Sequence, residues 1–106
     1  NYSKRKVAVI QQDANQFVAN SQSKFDLVCS DIFMDHITPP FIVSETYILG
    51  LNKMLNTKGI AMISKLNRSV TDVQQNKILE NILEKHIGEF NCIKTLGNSV
   101  YWWQKP

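Results

Sequence analysis

One run of residues limits what this chain can fold into more than any other. Leu27-Val28-Cys29-Ser30 leads directly into Asp31, and a few residues later the chain reads Thr38-Pro39-Pro40. A short continuous apolar run bounded by polar residues has the pattern of a buried strand. Two successive prolines exclude helix across the next stretch. The strand must therefore end near Ser30, and residues 31 to 40 must form a loop. In open parallel sheets, ligands bind outside the carboxyl ends of the strands, so Asp31 occupies the place where chemistry usually happens.

The glycines add a second limit. There are four, Gly50, Gly59, Gly88 and Gly97, and no two are close in sequence. A Gly-rich strand-to-helix turn, which would bring backbone N–H groups up to a nucleotide, is missing from the chain.

Two other continuous apolar runs accompany Leu27–Cys29. Val7-Ala8-Val9-Ile10 and Ile60 to Ile63 both have the composition of strands buried on two faces. Between the runs the period changes to that of helices. Asp13 can cap a short helix over Ala14–Asn20, with Phe17 and Val18 facing inward. Ser44 can cap a helix whose apolar face is Tyr47, Ile48, Leu51, Met54 and Leu55, closed by Asn56 to Gly59. Ser64 to Arg68 reads as a loop at the carboxyl end of the third strand. Thr71-Asp72-Val73-Gln74 has the form of a capping box. It opens a longer helix with the stripe Ile78, Leu79, Ile82, Leu83 and Ile87, and Gly88 as its C-cap. Phe90–Thr95 and Ser99–Trp103 read as a hairpin turning at Leu96-Gly97-Asn98. Strands alternating with helices predict an α/β fold: a mostly parallel sheet with helices on its faces and a C-terminal antiparallel hairpin.

Composition narrows the function classes. The chain has 106 residues, 43% hydrophobic and 20% charged, which suits a single folded domain. The net charge is +3, but the basic residues are scattered apart from Lys4-Arg5-Lys6. A nucleic-acid face needs a longer basic stripe with interleaved aromatics. No apolar run reaches the length of a membrane span. Cys29 and Cys92 stand in apolar runs without metal-ligand spacing, so both are expected to be buried free thiols, with no metal site and a cytoplasmic setting.

Three stretches resemble the spermidine-synthase-like branch of the class I S-adenosylmethionine-dependent methyltransferase fold. Val9-Ile10-Gln11-Gln12-Asp13-Ala14 is similar to an apolar strand running into Asp-Ala. Phe25-Asp26-Leu27-Val28 through Asp31 is similar to the strand that ends on a catalytic-position Asp. Asp31-Ile32-Phe33, Pro39-Pro40, Ser44-Glu45-Thr46-Tyr47 and Leu55 to Gly59 are similar to the loop, helix and strand beyond it, with Asn67 following. The resemblance implies a partial Rossmann-like fold in which residues 1–106 form the second half of a larger domain. It implies a transferase for methyl or aminopropyl groups, using S-adenosylmethionine or its decarboxylated form and a small-molecule nucleophile. Asp13 and Ala14 would contact the cofactor's adenine, and Asp31 would orient and deprotonate the nucleophile.

The chain departs from that pattern in lacking the Gly-rich turn and in carrying Met34 where aminopropyl transferases tend to place a second acid. Alone, it is expected to bind the cofactor weakly or not at all.

Each residue also has a plainer reading. Asp31 can simply end a strand, and Asp13 can simply cap a helix. Asp35-His36 reads as a solvated loop pair before it reads as a metal site. His86 suits a helix C-terminus. In Tyr101-Trp102-Trp103, alternate residues face opposite sides, so core packing with one exposed aromatic is expected over a base-stacking platform. The rival to the transferase is a non-catalytic binding or assembly module. On either reading the strand at Leu27–Cys29 is left with a bare edge, and a homodimer through that edge is expected unless Val7–Ile10 pairs with it.

Overall fold

The computed structural model describes residues 8–32 and 38–106. In chain order the elements are α1 (Ala14–Asn20), β1 (Phe25–Ser30), a 3₁₀ turn (Pro40–Val43), α2 (Glu45–Lys53), β2 (Leu55–Asn67), α3 (Val70–His86), β3 (Asn91–Thr95) and β4 (Gly97–Gln104). The four strands form one sheet in the order β1-β2-β4-β3.

The α/β class and the terminal hairpin are as expected, but the sheet is not mostly parallel. Only β1 and β2 run parallel; β2 pairs antiparallel with β4, and β4 with β3. Two physical causes account for this. The last strand inserts between β2 and β3, and its two-residue turn forces the hairpin to be antiparallel. The strand expected at Val7–Ile10 also does not form over Ala8–Ile10, where Val9 is 91% exposed and Ile10 61%. Among the described residues nothing pairs with the outer edge of β1, so a β-branched run there has no ladder to join.

Local signals explain most boundaries. Asp13 caps α1, its Oδ1 accepting from the N–H of Asn15 at 2.7 Å and of Gln16 at 3.4 Å. Ser44 caps α2 through the N–H of Tyr47. The capping box of α3 lies two residues earlier than expected. Ser69 Oγ accepts from the N–H of Asp72, and Asp72 Oδ2 accepts from the N–H groups of Ser69 and Arg68. Asp at the third helical position does what Glu or Gln usually does. Gly88 and Gly97 both sit at positive φ, 93° and 90°, where a helix stop and a tight turn need them.

β2 is longer than the apolar run Ile60–Ile63 suggested. It absorbs Asn56–Gly59 as an irregular entry, with Lys58 at φ 69° opposite a register shift between Phe25 and Leu27. It also absorbs Ser64–Asn67, expected as a loop, because β4 pairs with those residues to the end.

All three helices lie on one face. Their buried residues (Val18, Tyr47, Ile48, Leu51, Leu79, Ile82, Leu83) form one core with Ala61, Ile63, Tyr101 and Trp103. Trp103 is anchored by its Nε1, which donates to Asn52 Oδ1 at 3.0 Å. Strand pairing puts the alternate residues together on the other face: Leu27 beside Ile60, Cys29 beside Met62, Met62 beside Trp102, and Ile93 beside Val100. None of these packs into the helix-side core. Among the described residues, the expectation of helices on both faces is therefore corrected to helices on one. Cys29 and Cys92, expected buried, are both exposed, Cys29 on this open face and Cys92 on the outermost strand.

Candidate functional site

The carboxyl ends of the parallel pair β1–β2 define the candidate site. β1 ends on Ser30, which is buried and shares a 2.7 Å hydrogen bond with the Tyr47 hydroxyl on the first turn of α2. Burial raises the Tyr47 pKa above the ordinary tyrosine value, and the Ser30 bond pulls in the opposite direction. This contact fixes the end of β1 against α2, one residue before Asp31. Asp31 itself is exposed, and Ile32 after it packs partly into the core. The backbone thus holds Asp31 at a firm strand end with its side chain open to solvent. Met34, Asp35 and His36 lie outside the described residues.

Asp13 is exposed and engaged with the backbone of α1, as the helix-cap reading required. Beside it is an open-sided hollow of about 270 Å³ lined by Ala8, Ile10, Gln12, Ala14 and Phe17. Ala14 is therefore a wall of a mostly apolar hollow, while Asp13 stands at its rim in sequence.

Two features at the carboxyl end of β2 were not anticipated. Lys65 is fully buried on the helix side, and its Nζ donates to Gln75 Oε1 at 2.8 Å. Burial lowers its pKa, opposed by the charge of Asp72. Nothing in the sequence marks Lys65 as buried except its odd-numbered register with Ala61 and Ile63 on β2, which becomes readable once the strand is known to continue. A larger hollow of about 530 Å³ opens beyond it, lined by Asn67, Arg68 and the first turns of α3. Its helix N-terminus is already occupied by Asp72, so the free N–H groups that would attract an anion are partly spent.

On the same helix-covered face, Tyr101 Oη donates to Glu80 Oε2 of α3 at 2.6 Å, and burial followed by that carboxylate pushes the Tyr101 pKa far upward. His86 Nε2 lies 3.4 Å from Glu45 Oε1, so its partner is the first turn of α2 as well as its own helix end. Tyr101 and Trp103 point into the core and Trp102 away from it, as the alternation predicts.

Among the described residues no three His, Cys, Asp or Glu side chains gather as a metal site, and no helix is long and apolar enough to cross a membrane. No protein-family model matches the chain, and no curated protein matches it.

Proposed function

We propose that this chain carries the second half of an S-adenosylmethionine-dependent transferase site, for methyl or aminopropyl transfer. The observation that carries the reading is the placement of Asp31. It is an exposed carboxylate at the carboxyl end of a parallel strand, in a half-sheet that closes with an antiparallel hairpin. The strand order and the hairpin are what the methyltransferase-type, partial Rossmann-like fold leads one to expect of its second half.

The residues fit one end of the cofactor. Apolar walls from Ile10, Ala14 and Phe17 suit a flat base, and a hollow of about 270 Å³ takes a base but not a whole nucleoside with its sulfonium arm. When bound, S-adenosylmethionine or its decarboxylated form supplies an electrophilic carbon beside a sulfonium. The chain's own part is positioning and proton removal. Asp31 would hold the nucleophile's N–H or O–H and accept its proton as the nucleophile attacks. The Ser30–Tyr47 contact keeps that carboxylate at a fixed height above the sheet.

A titration of the isotopically labelled chain with S-adenosylmethionine, followed by amide NMR, tests the cofactor half. Weak, millimolar-range shifts confined to Asp13, Ala14 and Phe17 are expected. Tight binding, or shifts elsewhere, contradicts the half-site. In an active parent enzyme, Asp31→Asn is expected to lower turnover by about two to four orders of magnitude with little change in melting, because a positioned general base is lost. Normal turnover removes Asp31 from the mechanism.

The second reading, a non-catalytic binding or assembly module, is favoured by a different observation: among the described residues the edge of β1 is bare and one sheet face is uncovered. A second copy is the partner expected at that edge. A cytoplasmic setting belongs to the same proposal and rests on two exposed, unpaired thiols.

A further inference from the structure

A sheet apolar on both sides needs cover on both sides. Among the described residues the helices cover one. The open face presents Leu27, Ile60, Met62, Val100, Trp102 and Ile93 in adjacent rows, with Leu27 58% and Ile93 57% exposed. We propose that this open face docks a second copy of the chain, sheet against sheet. The inference goes beyond the transferase reading and does not rest on it.

Charge points to the second copy as the occupant. In a two-fold contact each patch meets itself, so a charged patch opposes like with like. From Ile60 onward on β2, and at the positions paired with it across the sheet, the open-face rows contain no Lys, Arg, Asp or Glu: the other positions on them are Cys29, Ser64, Leu66, Asn91, Thr95, Asn98 and Gln104, of which Leu66 is already buried. The charged residues within these paired stretches, Lys65 and Lys94, point elsewhere. Lys65 is buried under α3, and Lys94 reaches Glu80 at 3.5 Å on the helix side. A chain of net charge +3 therefore keeps one neutral apolar face, which can meet its own copy without repulsion.

Magnitudes separate the face from the edge. Four strands about 4.8 Å apart and five residues long at about 3.3 Å each give a patch of roughly 19 by 17 Å. With side-chain relief this is about 500–600 Å² per copy, or roughly 1,000–1,200 Å² in all, at the lower limit of specific interfaces. Edge pairing of β1 adds a ladder of six residues at most, with much less apolar area, and leaves Met62 and Trp102 in water. The face is the stronger contact, and its size fits a reversible dimer of micromolar strength. Two twisted sheets in such a contact cross at about −30° and lie about 10 Å apart.

Sedimentation equilibrium of the 106-residue chain across a wide concentration range, with Met62→Lys beside it, tests this. Met62 is on a central strand and faces outward, so the lysine reaches solvent in the monomer and is buried unpaired in the dimer. The expected result is a reversible wild-type dimer weakened at least about tenfold by Met62→Lys, with unchanged circular dichroism. Val100→Lys serves if the first variant misfolds. Thiol alkylation gives an independent readout: Cys29 should become slower to react as concentration rises, while Cys92 does not. A chain that is monomeric throughout, an open-ended aggregate, or a dimer that both lysine variants leave intact overturns the proposal. The last of these outcomes would assign the contact to the edge.

Discussion

The two faces of the β2–β4 pair are close in composition and opposite in circumstance. On one, Ala61, Ile63, Tyr101 and Trp103 disappear under three helices. On the other, one residue along each strand, Ile60, Met62, Val100 and Trp102 remain partly open. The contrast shows that apolarity tells what a strand is able to bury, and the elements around it decide what is buried. Adjacent tryptophans on β4 make the comparison within one dipeptide.

The largest expected effect uses that pair. Trp103→Ala should cost about 3–5 kcal/mol, since a fully buried aromatic leaves a cavity and its Nε1 partner Asn52 unpaired. Trp102→Ala, measured in dilute solution, should cost about 1 kcal/mol or less. Denaturant melts of both variants decide it, and equal losses would break the distinction between the faces.

A smaller effect sharpens the claim that the covered side depends on α3 being held at its start. Ser69→Ala should cost about 1 kcal/mol in the same melts, because Ser69 supplies half of the capping box. No loss would mean that packing alone fixes the helix.

Lys65 gives an effect marked by its pH dependence. Burial depresses its pKa in the folded chain, while in the unfolded chain the amine keeps the ordinary lysine value of about 10.4. Between the two values unfolding takes up a proton, so raising the pH opposes unfolding. Wild type should therefore gain stability relative to Lys65→Met as pH rises toward that value, with the gain levelling off above it. Parallel pH profiles for the two proteins would place Lys65 in water. The smallest effect belongs to the rim: Lys94→Ala, which removes the partly exposed pair with Glu80, should change stability by less than about 0.5 kcal/mol.

These contrasts also mark where the sequence could be read and where it could not. Asp13 as a cap, Gly88 as a stop, Gly97 in the turn and the inward Tyr101 and Trp103 were legible, because each depends on a local backbone demand or on alternation along one strand. The run at Val7–Ile10 misled over its described part, Ala8–Ile10, because β propensity needs a neighbour, and among the described residues the edge of β1 has none on that side. Cys29 misled because an apolar run does not say whether both of its faces are covered. Lys65 stayed hidden because its burial follows from β4 extending the ladder past Ser64, a long-range fact. At the candidate site, Asp31 was visible as a strand end. The Ser30–Tyr47 contact that holds it joins residues 17 apart and was not visible.

Hydroxyl-radical footprinting of the dilute chain tests the one-sided sheet most directly, by comparing oxidation of Trp102 with that of its neighbour Trp103. A one-sided sheet gives rapid modification of Trp102 and strong protection of Trp103, which is 1% exposed. Equal reactivity, or protection of both tryptophans at the lowest concentration, would contradict it.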